Sequence, residues 1–186
     1  KLNYDTGGKL ATLKVPSGTA WTLSYDAGGR LKTIQDTFGR LTSLVYDASD
    51  KIKRIQDAGG RITSFTVNSS GDLVKVVSPE LCLTSLVYDT VHRLKAWVNP
   101  NGDRTSYGYD DSSRLRYVLT PLGNRTTYAY LATTPEKRTI TDPRGKVTTM
   151  LLGSPTIRAM IDALGNRTTY TWDGEWLRAR QDARGN

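Results

Sequence analysis

Short runs in which polar and apolar side chains alternate recur along the whole chain, and each ends in a cluster of Asp, Asn, Ser, Pro or Gly. Leu31–Gln35 (LKTIQ) and Leu41–Tyr46 (LTSLVY) are representative. Alternation with a period of two residues marks strands whose two faces differ. Thr, Val, Ile and Tyr suit the pleated surface of such strands. Between the runs lie Asp36-Thr37-Phe38-Gly39 and Asp47-Ala48-Ser49-Asp50. Asp opens a turn by accepting backbone N–H groups, and Gly closes it where φ is positive. No helix caps and no sustained 3.6-residue period compete with this pattern. The chain reads as all-β, built from antiparallel hairpins.

The second run of the pair separates its side chains by face. Thr42, Leu44 and Tyr46 fall on one side, as do Thr105, Tyr107 and Tyr109, then Thr126, Tyr128 and Tyr130. Leu41, Ser43 and Val45 fall on the other. The first run is less clean, because strict alternation places Leu31 and Ile34 on opposite faces. That predicts a sheet with some apolar character on both sides.

The pattern repeats every 21 residues, with starts at Tyr4, Tyr25, Tyr46, Val67, Tyr88, Tyr109, Tyr130 and Leu151 and a partial copy from Trp172. A fixed period of this size marks a repeat architecture. It predicts one uninterrupted array over residues 1–186 with no separate domains, because each repeat contacts its neighbours. Two strands per repeat give a continuous twisted ribbon of about 17 strands. Equivalent strands then lie two strands apart, roughly 10 Å, so the tyrosines interleave with side chains of the intervening strand instead of stacking. Three repeats depart from the pattern. In the fourth, Val67-Asn68 replaces Tyr-Asp and Leu81 stands where the turn glycine belongs. The seventh places Asp142-Pro143-Arg144-Gly145 one residue late, and the ninth lacks one residue before Asp182. The slips in the seventh and ninth repeats are expected sites of bulges or altered turns.

The recurring columns are Tyr25-Asp26 with Gly29-Arg30, Asp36 with Gly39-Arg40, and the return to Tyr46-Asp47. They reappear as Gly60, Tyr88-Asp89, Gly102, Tyr109-Asp110, Gly123, Gly145 and Gly165. On these residues the chain resembles the RHS-repeat, or YD-repeat, family along essentially its whole length. The resemblance implies a module of a larger protein whose ribbon winds into a hollow shell. In the bacterial toxin members that shell encloses a C-terminal toxic domain, and in the related teneurins it serves cell-surface adhesion. The implied partners are the rest of the parent shell and its C-terminal cargo, and the implied location is secreted or cell-surface. Some members end their shell in an Asp-Pro-x-Gly cleavage segment. Here Asp142-Pro143-Arg144-Gly145 falls at an ordinary mid-repeat turn and a further repeat follows, so no protease role attaches to it.

The formal net charge is +8, from 26 Lys and Arg against 18 Asp and Glu. The cations are spread through the repeats, many directly after a turn glycine where a turn aspartate can pair with them, as at Arg40 and Arg61. That spread argues against nucleic acid, which favours a basic patch. Cys82 is the sole cysteine, so no intrachain disulfide forms, and its place in a strand pattern predicts a small apolar wall residue. The carboxylates recur once per repeat and are read as turn residues, not as an acid/base pair. His92, the lone histidine, stands in a turn column, which leaves a Ser-His-Asp set without support. No Cys/His spacing suits zinc. Asn68, Asn124 and Asn166 begin glycosylation sequons in turn columns. No catalytic residue, cofactor or metal is expected. With no capping sequence at either end the chain reads as a piece of an array, and its open strand edges predict self-association. A second reading is a module that binds carbohydrate or a cell surface through exposed aromatics, chiefly Trp21, Tyr107 and Tyr128.

Overall fold

The computed structural model describes residues 1–153 and 156–186. Among these residues the fold is all-β, with 18 strands and no helix. The expected count of about 17 omits Leu2–Tyr4, a strand that ends on the tyrosine of the first repeat. The boundaries read from unit two hold, at Leu31–Gln35 and Leu41–Tyr46.

The chain divides into two compact bodies, Lys1–Arg93 with Trp97–Gly102, and Leu94–Ala96 with Asp103–Asn186. The first contains β1 (Leu2–Tyr4), β2 (Leu10–Lys14), β3 (Ala20–Tyr25), β4 (Leu31–Gln35), β5 (Leu41–Tyr46), β6 (Ile52–Gln56), β7 (Ile62–Val67), β8 (Leu73–Val77) and β9 (Leu83–Tyr88). Each strand pairs antiparallel with the next in sequence. Strand β10 (Leu94–Val98) is divided between the bodies. The second body holds β11 (Arg104–Tyr109), β12 (Leu115–Leu119), β13 (Arg125–Leu131), β14 (Glu136–Thr141), β15 (Val147–Leu152), β16 (Ile157–Ile161), β17 (Arg167–Asp173) and β18 (Trp176–Gln181). Their pairing is antiparallel and sequential as well.

A bulge precedes the Tyr-Asp turn in most repeats and changes the reading of the faces. Ser24 lies opposite Thr33, but Tyr25 lies opposite Leu31, so one extra residue is accommodated on β4. The same slip occurs at Val45/Tyr46, Thr66/Val67 and Gly108/Tyr109. Directly opposed residues share a face. Leu31 therefore sits with Tyr25, and Ile34 sits with Leu23 and Thr42, all on one side. Strict alternation had split Leu31 from Ile34; the extra bulge residue reunites them. One face thus collects Leu23, Tyr25, Leu31, Ile34, Leu44 and Tyr46, and the other collects Ser24, Thr33, Ser43 and Arg54.

Bulges accordingly belong to the regular repeats, not to the irregular ones alone. In the seventh repeat β13 and β14 pair without a slip as far as Leu131 opposite Lys137. Its deviation is carried by the connecting loop, which contains a cis Thr134-Pro135 bond. The ninth repeat keeps its bulge at Thr171/Trp172 and shortens the turn, so that Asp173 lies opposite Trp176.

There is no thick core. Ala96 and Ala159 are the buried hydrophobic residues among those described, and no large side chain is fully enclosed. Cross-strand fit replaces interior packing, and the second body shows how tight it is. Gly108 lies opposite Tyr117, and a Cβ built on Gly108 would come within 2.0 Å of the tyrosine ring. The Arg125 guanidinium covers the ring from the next strand, 4.3 Å from its centre. Gly108 is the small member of a small–large pair, and its role is close approach. Gly108→Ala is expected to destabilise the fold by about 1–3 kcal/mol, the range for overpacking. Urea unfolding checks this, and in a Tyr117→Ala background the same substitution should cost much less. Unchanged stability in Gly108→Ala would show that the pair is loosely packed.

Candidate functional site

Each repeat makes two turns of the same chemistry. In the Tyr-Asp turn of repeat two, the Asp26 amide donates to the Arg30 carbonyl at 2.9 Å and the Gly29 amide donates to the Asp26 carbonyl at 2.9 Å. Gly29 has φ +80°, as this three-residue hairpin loop requires. The Asp26 carboxylate accepts from the Arg30 amide at 2.9 Å, and the Arg30 Nε–H reaches its other oxygen at 2.7 Å. The mid-repeat turn copies this arrangement. Asp36 Oδ1 accepts from the Phe38 and Arg40 amides at 2.9 and 3.0 Å, and Arg40 Nε lies 2.6 Å from Oδ2. Asp57–Arg61, Asp89–Arg93 and Asp110–Arg114 form the same pair. The cations that follow turn glycines are thus matched to turn aspartates.

The Tyr-Asp tyrosine joins one repeat to the previous one. The Tyr25 hydroxyl donates to the Leu10 carbonyl at 2.8 Å, Tyr46 to Leu31 at 2.8 Å, Tyr109 to Leu94 at 2.9 Å and Tyr130 to Leu115 at 2.9 Å. In the ninth repeat Trp172 substitutes its indole N–H, which donates to the Ile157 carbonyl at 2.7 Å. The accepting carbonyl belongs to the residue beside the bulge, where an extra residue interrupts the ladder. Val67 has no donor at this column and leaves the fourth repeat without the bond.

The basic residue that ends each Tyr-Asp turn completes the join. Lys9 lies over the Tyr25 ring at 5.1 Å from its centre, Arg30 over Tyr46 at 4.8 Å and Arg114 over Tyr130 at 4.5 Å. Such contacts contribute roughly 0.5–1 kcal/mol at exposed sites. Arg30 also pairs with Asp50 of the next repeat. The equivalent positions in the fourth and fifth repeats exchange the carboxylate and its nitrogen partner: Asp72 sits 2.7 Å from the Nδ1 of His92. His92 is 58% exposed on its side chain and has φ +64°, so it stands in the glycine column as a surface turn residue.

Other sequence-derived candidates are dispersed. Trp21, on β3 of the first body, borders an open groove with Ile34, Arg40 and Thr42. Tyr107 and Tyr128, in the second body, share the tyrosine face but stand on β11 and β13 with β12 between them. All three are half-buried. Tyr88-Asp89 closes β9, and Gly60, Gly102, Gly123, Gly145 and Gly165 each take the positive-φ position of a mid-repeat turn. Asp47 accepts from the Ser49 and Lys51 amides. Cys82 corrects the strand-wall expectation. It is exposed at the exit of the turn before β9, its amide 3.3 Å from the Ser78 hydroxyl. Asn68 and Asn166 spend their side-chain amides on Asp72 and Asp162. Among the described residues no group of His, Cys, Asp and Glu is arranged to hold a metal, and no helix is long and apolar enough to cross a membrane. The tyrosine join and the bulge beneath it escape sequence inspection, although the constant interval of 15 residues between donor and acceptor is visible once the join is known.

Comparison with known proteins places this geometry. The sequence model of the Teneurin YD-shell family matches residues 1–152. No individual curated protein matches the chain. The crystal structure of TcdB2-TccC3-Cdc42 superposes with a TM-score of 0.69 at 16% identity, over 97% of this chain and 12% of that one. The crystal structure of TcdB2-TccC3 without its hypervariable C-terminal region gives 0.68 at 16% identity, over 98% and 13%. The Tc holotoxin pore of Photorhabdus luminescens gives 0.67 at 17%, over 97% and 12%. At such identities the likeness is one of fold, and the chain spans only about an eighth of the proteins it matches.

The turn carboxylates set the response to acid. Hydrogen bonds from the paired guanidinium hold Asp26, Asp36 and Asp57 below the ordinary aspartate value near 3.8. Backbone amides do the same, as the largest cause, for Asp47, Asp89, Asp110 and Asp182. A group depressed on folding contributes stability above its unfolded value and loses it as pH falls through the folded value. The urea midpoint is therefore expected to hold steady above about pH 5 and to drop below about pH 4. Replacing Asp36 and Asp57 by Asn should flatten the drop, since Asn68 makes the same two amide bonds without a titrating proton. A midpoint unchanged down to pH 2.5 would contradict this.

Proposed function

This chain belongs to the Teneurin YD-shell family, and from that premise we propose that it is a section of shell wall in a larger polypeptide, enclosing or presenting a C-terminal segment encoded elsewhere in that polypeptide. Its role is structural. The observation that carries the reading is the join of tyrosine hydroxyl to leucine carbonyl, which recurs in repeats two, three, six and seven and makes a sheet extensible without a central core. The array acts as one module, since the 21-residue period runs without interruption across the division between the two bodies. The signature residues serve the wall: Tyr25, Tyr46, Tyr109 and Tyr130 couple repeats, and the turn Asp and Gly columns set the hairpins.

The cargo is a toxic domain in this reading, and any catalytic activity resides there. Support comes from the fold likeness to TcdB2-TccC3, of which one structure is described as lacking a hypervariable C-terminal region. The location that follows is secreted or cell-surface. The wall itself acts without cofactor or active site, in keeping with turn carboxylates that each answer to a backbone amide.

Limited proteolysis of the intact parent protein tests the enclosure. Mass spectrometry should show that the segment following the last repeat survives while the particle is native and is digested once the particle is unfolded. Immediate cleavage of that segment under native conditions would overturn enclosure.

A further inference from the structure

The tyrosine joins of the first body stop midway along it. Tyr25 secures the open end of the β2–β3 hairpin on the Leu10 carbonyl, and Tyr46 secures β4–β5 on the Leu31 carbonyl. By the same columns, residue 67 would secure β6–β7 on Ile52, and residue 88 would secure β8–β9 on Leu73. Residue 67 is a valine and has no donor. Tyr88 keeps the ring, yet its hydroxyl makes no hydrogen bond to a described residue. In the second body the joins resume at Tyr109 and Tyr130.

Two further features weaken the same stretch. Lys9 and Arg30 each put a cation over the tyrosine that follows, Tyr25 and Tyr46. The residue of that column before Tyr88 is Asp72, an anion, whose carboxylate meets the Nδ1 of His92 instead. His92 is mostly exposed, and a contact of that kind couples its partners weakly. The β8–β9 turn is also strained. Leu81 holds φ +62° in the column where Gly18, Gly39 and Gly60 take the left-handed conformation without a side chain to hinder it.

We propose that β6 to β9 form a compliant segment of the wall, the part of the first body that opens before its neighbours. In an array of like repeats, opening begins at the ends, where a unit has one neighbour instead of two. Here two successive hairpins in mid-chain lack the join, and the second also carries the strained turn, so the order is reversed. The wall has a built-in place to yield while β2 to β5 stay paired. The inference rests on the tyrosine join as the coupling between repeats, and it stands whether or not the wall encloses a cargo.

The test is native-state hydrogen exchange of the whole chain, read strand by strand. Amides of β6 to β9 are expected to exchange about threefold to tenfold faster than those of β4 and β5, the factor that one missing hydrogen bond per hairpin gives. Val67→Tyr supplies the absent donor and should recover most of that factor in β6 and β7. Val67→Phe supplies the ring without the hydroxyl and should leave exchange fast. A second repair is independent of residue 67. Asp72→Arg with His92→Asp recreates the Arg30–Asp50 arrangement beside Tyr88, and it should slow exchange in β8 and β9 while β6 and β7 stay fast. Exchange in wild-type β6 to β9 as slow as in β4 and β5 would overturn the proposal. So would equal slowing by tyrosine and phenylalanine at residue 67, or a failure of both repairs to slow exchange.

Discussion

The structure depends on one hydrogen bond, from the hydroxyl of the Tyr-Asp tyrosine to the carbonyl of a leucine one repeat earlier. A sheet without a thick interior has few large buried side chains to hold it, and here Ala96 and Ala159 are the buried hydrophobic residues among those described. Something other than core burial must couple one hairpin to the next. The bulge supplies the acceptor by interrupting the ladder, and the tyrosine supplies both the donor and an apolar ring that lies along the same face. The guanidinium or ammonium over that ring then connects the join to the turn aspartate. Asp26, Arg30 and Tyr46 thus form one chain of contacts across a repeat boundary. Such a system is additive to the extent that each repeat makes its contacts mainly with its neighbours.

Most of the architecture was legible in the sequence because strands and turns are local. The two-residue alternation over Leu41–Tyr46 and the Asp-opened turns at residues 36–39 and 47–50 depend on propensity and turn chemistry alone, and they appear where those rules put them. The sidedness of the first strand was not legible. Leu31 and Ile34 are three residues apart, which alternation assigns to opposite faces, and only the cross-strand register reveals the extra residue between them. The tyrosine join escaped for a related reason, since its acceptor is a backbone atom with no residue type to betray it. Cys82 misled because it adjoins a strand: it occupies the turn-exit column of Arg40 and Arg61, one residue before the strand begins.

The variant repeats show which columns are chemical and which are steric. Trp172 replaces tyrosine with a different ring and supplies an indole N–H in place of the hydroxyl, so the donor is kept where the ring changes. Asn68 replaces aspartate and keeps both amide bonds. Asp72 and His92 exchange the places of carboxylate and nitrogen in the Arg30–Asp50 pair and retain the contact. A wall built this way tolerates drift in its side chains while the backbone pattern persists, in keeping with a fold shared at 16–17% identity with much longer proteins.

The central claim is that neighbouring repeats are coupled through the tyrosine hydroxyl. Native-state hydrogen exchange on the full chain with Tyr46→Phe tests it directly, because only the hydroxyl is lost. The account requires protection to fall by about 0.5–1.5 kcal/mol, the net worth of one hydrogen bond, in β3 to β6 around the broken join, with strands beyond them unchanged. Protection unaltered in β3 to β6, or lowered equally along the entire chain, would contradict it.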